Sequence, residues 1–230
     1  FSLEPRQIAA IIGPNGAGKT TVFNCISGFY QPSGGQVILD GEDITGLPSH
    51  RIAQKGLTRT FQNIRLFREM TVLENLLVAR HNHLDTRYWS GILRTRRYRD
   101  SERLAKEHAA KWLDTFELRA FANHEAGSLA YGQQRRLEIA RCMMTAPRVL
   151  ILDEPAAGLN PQETAALVTL IETLRDHHGI SVLLIEHDMS LIMRVSEHIM
   201  VMEYGRPIAY GSPDDIRNNP EVVRAYLGES

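Results

Sequence analysis

Three short stretches of the chain are apolar at every position. "IAAII" stops at Gly13, "VLIL" runs into Asp153, and "VLLI" runs into Glu186. A strand with one wet face alternates apolar and polar residues, whereas a strand covered on both faces does not. The three runs therefore predict buried strands. Between the second and third lies "PQETAALVTLIETLRDHH", with the spacing of a helix. Strands alternating with helices point to an α/β fold, a mostly parallel sheet covered on both faces. The pattern changes in the middle. From about Thr71 to Met144 strand signals nearly vanish, and "TVLENLLVARH" and "DSERLAKEHAAKWLDTFEL" carry Leu, Ala and Trp at helical spacing. This predicts an α-helical subdomain, residues 63–146, inserted into a core made of residues 1–62 and 147–230. Upstream, "GGQVILDGEDITGLP" predicts a small antiparallel β part, short strands joined at an Asp-Gly turn. No internal repeat or low-complexity segment interrupts the scheme.

Composition narrows the class. A chain of 230 residues suits one core with an inserted subdomain. An apolar content of 43% and a charged content of 23% are ordinary for a globular protein. A net charge of −1 gives no electrostatic reason to expect nucleic acid as a partner. Cys25 and Cys142 stand far apart with no Cys-x-x-Cys pair, which argues against a zinc knuckle or disulfide scaffold and suits a reducing compartment. No apolar run approaches bilayer length, and no signal peptide is visible. The chain opens at Phe1 rather than Met, so residues upstream of it are expected.

Chemistry-bearing residues fall where the strands end. "GPNGAGKTT", Gly13 to Thr21, follows the first strand, opens a helix and fits G-x-x-x-x-G-K-[ST]. Gly13, Gly16 and Gly18, set among Pro14, Asn15 and Ala17, let the backbone wrap phosphates with its N–H groups turned inward. The helix beginning at Lys19, Thr20 and Thr21 adds its positive end at the same spot. Lys19 can reach the β- and γ-phosphates, and the Thr20 hydroxyl can ligate Mg²⁺. "VLILDEP" puts Asp153 and Glu154 at the carboxyl end of a parallel strand, where such sheets bind ligands. Asp153 suits a Mg²⁺ shell, and Glu154 suits orienting or deprotonating an attacking water. Standing alone, such a pair also reads as a turn of solvated acids. His187 ends the next apolar strand and so converges on the same crevice. His177 and His178, just before Gly179, read instead as a solvated helix end.

Taken in order, "GPNGAGKT", Gln62 in "RTFQNIRLF", "LAYGQ", "VLILDEP", "AAGLNP" and His187 resemble the Walker A, Q-loop, signature, Walker B, D-loop and switch-histidine motifs of ABC transporter ATP-binding subunits. The resemblance spans essentially the whole chain. "RLFREMTVLENLLVARH", "LLIEHDM" and "NNPEVVRAYLGE" look most like the LivG-type group, which serves branched-chain amino acid import. The resemblance implies a P-loop NTPase (RecA-like) core that uses ATP and Mg²⁺. It implies that Gln62 contacts Mg²⁺ or the attacking water, that Glu154 is the general base, and that His187 holds the γ-phosphate. Such proteins dimerise head to tail, which would set Leu129, Ala130, Tyr131, Gly132 and Gln133 against the partner's ATP. Gly158, Leu159 and Asn160 would form the D-loop. The implied partners are a second ABC ATPase subunit, in a heterodimer or a homodimer, and two transmembrane permease subunits. A periplasmic or extracellular solute-binding protein would act indirectly, and no nucleic acid is implied. The implied place is peripheral, on the cytoplasmic face of the cell membrane. The alternatives are an ATPase of lipopolysaccharide export or another ABC system, and a soluble ABC-type switch acting on a protein partner.

The chain departs from the family pattern at several points. Ala130 and Tyr131 replace the usual serine and glycine of the signature, which removes a hydroxyl. Gly132 and Gln133 remain, and "QQRRLEIARCMM" predicts a helix with Leu137, Ala140 and Met144 on one face. The helix's unpaired N–H groups persist, so a working anion site is expected. Tyr131 would either clash in a closed dimer or pack at its seam. Asn160 replaces a frequent aspartate. The family's adenine-stacking aromatic lies upstream of the first core strand, beyond the residues that precede Gly13, and Phe1 is not assigned that role. Finally, "RYWSGILRTRRYRDSER" concentrates arginines and aromatics. It reads as a solvated helix and loop, as a phospholipid or membrane-subunit contact, or as a nucleic-acid surface; no RNA- or DNA-binding module supports the last.

Overall fold

Each fully apolar run forms a strand: β1 (Ile8–Ile12), β5 (Val149–Asp153) and β6 (Ser181–Ile185) are buried almost throughout. The computed structural model describes residues 1–80 and 96–227. Their contacts divide the chain into two compact units, residues 1–62 with 147–230, and residues 63–146.

The first unit is built on a six-stranded sheet that adds β4 (Leu57–Arg59), β7 (His198–Glu203) and β8 (Arg206–Gly211), in the order β4-β5-β6-β1-β7-β8. All neighbours run parallel except β8, which pairs antiparallel with β7. One face carries Ala9, Ile11, Ile151, Leu183 and Ile185, which bury Phe23 of helix α1 (Lys19–Ile26). Burial of one such aromatic ring is worth roughly 1.5–3 kcal/mol. The register decides where the chemistry falls. Ile11 lies opposite Ile185, and Asp153 lies opposite Ile185 from the other side. The residues that follow these positions, Gly13, Glu154, Glu186 and His187, therefore emerge along one edge of the sheet. The small antiparallel part is a separate pair, β2 (Ile38–Leu39) and β3 (Glu42–Asp43), joined by Asp40 (φ 50) and Gly41 (φ 79). Both φ values are positive, as a two-residue hairpin turn requires. Helix α6 (Pro161–Asp176) buries Leu167, Val168, Leu170, Ile171 and Leu174, and ends at His177 and the left-handed Gly179.

The second unit is helical. Its helix α3 (Val72–Ala79) starts at a full capping box: Thr71 Oγ1 accepts from Glu74 N–H (3.2 Å), and Glu74 Oε2 accepts from Thr71 N–H (2.8 Å). It packs against α4 (Arg96–Thr115) and α5 (Tyr131–Met143). Ala105, Ala109 and Leu113 form the buried stripe of α4, while its charges pair in solvent, as Arg103 does with Glu107 (2.9 Å). Asn75 is fully buried and holds the preceding turn by donating to the carbonyls of Phe67 (2.9 Å) and Thr71 (3.0 Å). Of the arginine-rich stretch, residues 87–95 lie outside the described residues and residues 96–103 open α4. Among those residues no helix is long and apolar enough to cross a membrane.

Candidate functional site

The loop from Gly13 to Gly18 is shaped by what lies behind it. A Cβ on Gly13 (φ 150) would stand 2.1 Å from the Met202 carbonyl oxygen, so no side chain fits. Gly18 (φ 93) is the left-handed N-cap of α1, a conformation that strains any L side chain. The Gly205 N–H donates to the Ala17 carbonyl (3.0 Å), so the β7–β8 turn braces the loop. Lys19 is buried, and its Nζ donates to the carbonyls of Gly13 (2.7 Å) and Pro14 (3.0 Å). Burial pushes its pKa below the ordinary lysine value, while the charges of Glu154 and Asp153 push it back up. Thr20 and Thr21 stand exposed at the start of α1, and its first turn carries no acidic side chain. A helix end of this kind favours an anion.

Glu154 follows β5 in the left-handed region (φ 48), unusual for a residue with a side chain, and its N–H donates to the Ile185 carbonyl (2.9 Å). Both of its carboxylate oxygens are engaged. Gln62 Nε2 donates to Oε2 (2.8 Å), and His187 Nε2 lies 2.7 Å from Oε1. Two residues from two other segments thus meet on one carboxylate. Asp153 is buried beside them, and its Oδ2 accepts from Arg59 Nη2 (2.6 Å).

The loop after Glu154 is ordered by short turns. Ala157 N–H donates to the Glu154 carbonyl (3.2 Å) and Leu159 N–H to that of Ala156 (3.0 Å), and Gly158 is left-handed (φ 78). Asn160 caps α6, accepting through Oδ1 from the N–H groups of Gln162 and Glu163, both at 3.0 Å. An asparagine does this as well as an aspartate, which explains how the loop keeps its shape with Asn160.

Leu129–Gln133 belong to the other unit, where they form the start of α5. Ala130 occupies the N-cap position, and Gln133 Oε1 accepts its N–H (3.1 Å). Alanine has no atom to return the bond, so this is half a capping box. The first helical bond runs from Gln134 N–H to the Ala130 carbonyl (2.9 Å), so the N–H groups of Tyr131, Gly132 and Gln133 precede the ladder. Leu137, Ala140 and Met144 are all buried.

Two functional candidates were not singled out by sequence reasoning. Arg59 carries no signal of its own beyond its place in the motif around Gln62, because the three-residue β4 that holds it has no periodicity to read. Glu186 carries the same signal as Asp153, an acid directly after a buried strand. It is buried and accepts from Ala156 N–H (2.6 Å) and His187 N–H (3.0 Å), joining the segment after Glu154 to the one that carries His187. Burial pushes its pKa up against these donors.

A glycine-braced loop with a buried lysine, beside a carboxylate gripped by an amide and an imidazole, is the equipment of a P-loop ATPase. Comparison with known proteins refines that class. The ABC transporter family matches residues 1–157, and the family of branched-chain amino acid ATP-binding cassette transporters matches residues 206–230. The chain is 62% identical over 230 residues to the high-affinity branched-chain amino acid transport ATP-binding protein BraF of Pseudomonas aeruginosa. It is 57% identical to the protein LivG, of the same description, from Escherichia coli K12. Each alignment covers 100% of this chain and 90% of the relative. Its fold matches the ADP conformation of MJ1267, an ATP-binding cassette of an ABC transporter, with a TM-score of 0.85 and 33% identity, over 100% of this chain and 91% of that one. The chain belongs to the ABC transporter family as an ATP-binding, ATP-hydrolysing cassette.

Proposed function

We propose that this ATPase powers a membrane importer whose cargo is branched-chain amino acids. The observation that carries the catalytic reading is the joint grip of Gln62 and His187 on Glu154. The cargo rests on the full-length similarity to BraF and LivG.

In this reading residues 1–62 and 147–230 bind ATP along Gly13–Thr21, and residues 63–146 carry the signature loop. Lys19 exchanges its bonds to the Gly13 and Pro14 carbonyls for bonds to the phosphates. Glu154 accepts the proton of the attacking water, while Gln62 and His187 pass from its carboxylate to that water and the γ-phosphate. Thr20, Gln62 and Asp153 are the residues that would hold Mg²⁺. They offer hydroxyl, carbonyl and carboxylate oxygens, the donors a hard cation takes. When bound, the ion neutralises charge on the phosphates.

The partners in this reading are a related ATPase subunit arranged head to tail, two permease subunits, and a solute-binding protein reached through them. The chain works at the cytoplasmic face of the membrane. The two-chain assembly is the active form.

Deleting the gene for this chain should reduce uptake of labelled leucine to background. Wild-type protein should restore uptake and Lys19→Ala should not. Undiminished leucine uptake in the deletion strain would overturn the cargo. Full rescue by Lys19→Ala would overturn the role of the phosphate loop.

A further inference from the structure

Arg59 lies on β4, three residues ahead of Gln62, with 5% of its side chain exposed. A guanidinium does not shed its proton in proteins, so its burial has to be answered by partners. Nη2 donates to Asp153 Oδ2 (2.6 Å), and Nη1 donates to Asn24 Oδ1 (2.7 Å) and Ser27 Oγ (3.1 Å). The guanidinium carbon lies 5.6 Å from the ring centre of Phe23 and 5.5 Å from that of Phe61. Thr60, the next residue, accepts the Asp153 N–H through Oγ1 (3.3 Å). Two consecutive residues of the segment that feeds Gln62 therefore hold Asp153, and one of them also grips α1 behind the phosphate loop.

We infer that Arg59 is a positioning residue, a resident counter-cation for Asp153 that weakens this carboxylate's hold on Mg²⁺ and so eases release of the metal with product. The inference rests on the reading of Asp153 as a Mg²⁺ group. A buried carboxylate without a cation is strongly disfavoured, and each turnover has a stage in which product and metal have left. Arg59 stabilises that stage. The same fixed charge repels an arriving divalent ion, and the bonds to Asn24 and Ser27 keep the guanidinium from swinging away. Lysine would keep the charge and lose the fork.

The test compares wild type with Arg59→Gln, Arg59→Lys and Asp153→Asn. A fluorescent ADP analogue is bound first with a chelator and then over a Mg²⁺ titration, and the metal-free proteins are melted. Arg59→Gln should melt lower without metal, yet reach half-saturation at about tenfold less Mg²⁺, because a unit charge beside the carboxylate is worth about one decade or more in a site shielded from bulk water. Arg59→Lys should keep a Mg²⁺ requirement near that of wild type. Asp153→Asn should lose the Mg²⁺-dependent tightening. If Asp153→Asn titrates like wild type, the Mg²⁺ reading of Asp153 falls and the inference with it. If it loses the tightening while Arg59→Gln needs as much Mg²⁺ as wild type or more, the counter-cation role alone is overturned. Should Arg59→Gln fail to fold, the double variant Arg59→Gln/Asp153→Asn decides. It folds if the unpaired charge was the fault, and its failure to fold overturns the role.

Discussion

Helices α1 and α5 both open on a glycine-bearing loop whose first N–H groups precede the helical ladder, yet the two ends are built in different ways. The loop before α1 is finished by its own unit. Gly13 abuts the Met202 carbonyl, Gly205 donates to Ala17, and the Lys19 ammonium rests on two loop carbonyls. The start of α5 is secured mainly from behind. Arg135, 1% exposed, pairs with Glu138 at 2.9 Å, and Gln134 Nε2 donates to the Leu129 carbonyl (2.8 Å). In front, Ala130 has no capping atom and Tyr131 is 46% exposed. One end is complete as folded. The other is anchored and left open, which suits the head-to-tail dimer proposed above.

The largest effect expected on the finished side is chemical. Glu154→Gln should keep ATP binding and lose turnover by about 10²–10⁴-fold, since an amide cannot take a proton from water. Phosphate release, measured beside equilibrium binding of ATP, checks both halves. Wild-type turnover in the variant would remove Glu154 from the role of base.

Gly13→Ala tests how far the first loop depends on its own backing. The added methyl meets a carbonyl oxygen at 2.1 Å, at a φ of 150 that alanine rarely adopts. Strain and overpacking together should cost about 2–4 kcal/mol of folding stability, with nucleotide binding lost alongside. Denaturant unfolding measures the first and calorimetry with an ATP analogue the second. A variant as stable as wild type would mean that the loop yields easily and is not braced as described.

Ala130→Ser is the matching change at the open end, and it is smaller. A serine N-cap can accept the Gln133 N–H and complete the capping box, worth about 1 kcal/mol. The melting temperature of the isolated chain should rise by a few degrees, with its own ATP affinity unchanged. In the assembled transporter, the nucleotide site completed by this loop should bind tighter or turn over faster. A shift in the isolated chain's own ATP affinity would contradict the division between the two ends.

How legible these features were in the sequence follows from how local their causes are. The phosphate loop demands fixed residue types at fixed spacing, and β1, β5 and β6 are buried on both faces, so each could be read directly. The Asp40–Gly41 turn was legible for the same reason. Strands β7 and β8 were not. Strand β8 is the sheet's edge, β7 beside it has mixed burial, and a register shift between Val201 and Met202 interrupts their pairing. Strand β4 is three residues long and offers no periodicity. The partners of Asp153 and Glu186 were hidden too. Arg59 meets Asp153 only because β4 pairs with β5 in the register Arg59↔Ile151, and Glu186 meets Ala156 only through the fold. Residue types carry the chemistry proposed above, while the contacts around them depend on strand order.

The smallest expected effect concerns Glu186, which ties the finished end together through the N–H groups of Ala156 and His187. Burial raises its pKa in the folded state above the ordinary value of 4.5. Between that value and the raised one, the folded protein holds the proton more tightly than the unfolded chain does. The contribution of this group to stability is therefore fully present below 4.5 and is lost as pH rises through the folded value. Glu186→Gln removes the titration and keeps an oxygen that can accept from Ala156, although it gives up the second carboxylate acceptor. The stability of wild type minus that of the variant should thus decline as pH is raised from 4.5 towards neutrality, and then level off. Denaturant unfolding of both proteins across that range reads the slope. A difference that stays flat, or climbs with pH, would mean that the backbone donors outweigh burial at Glu186. The same change made in a protein carrying Ala130→Ser should give an identical slope, because the carboxylate belongs to the end that its own unit completes.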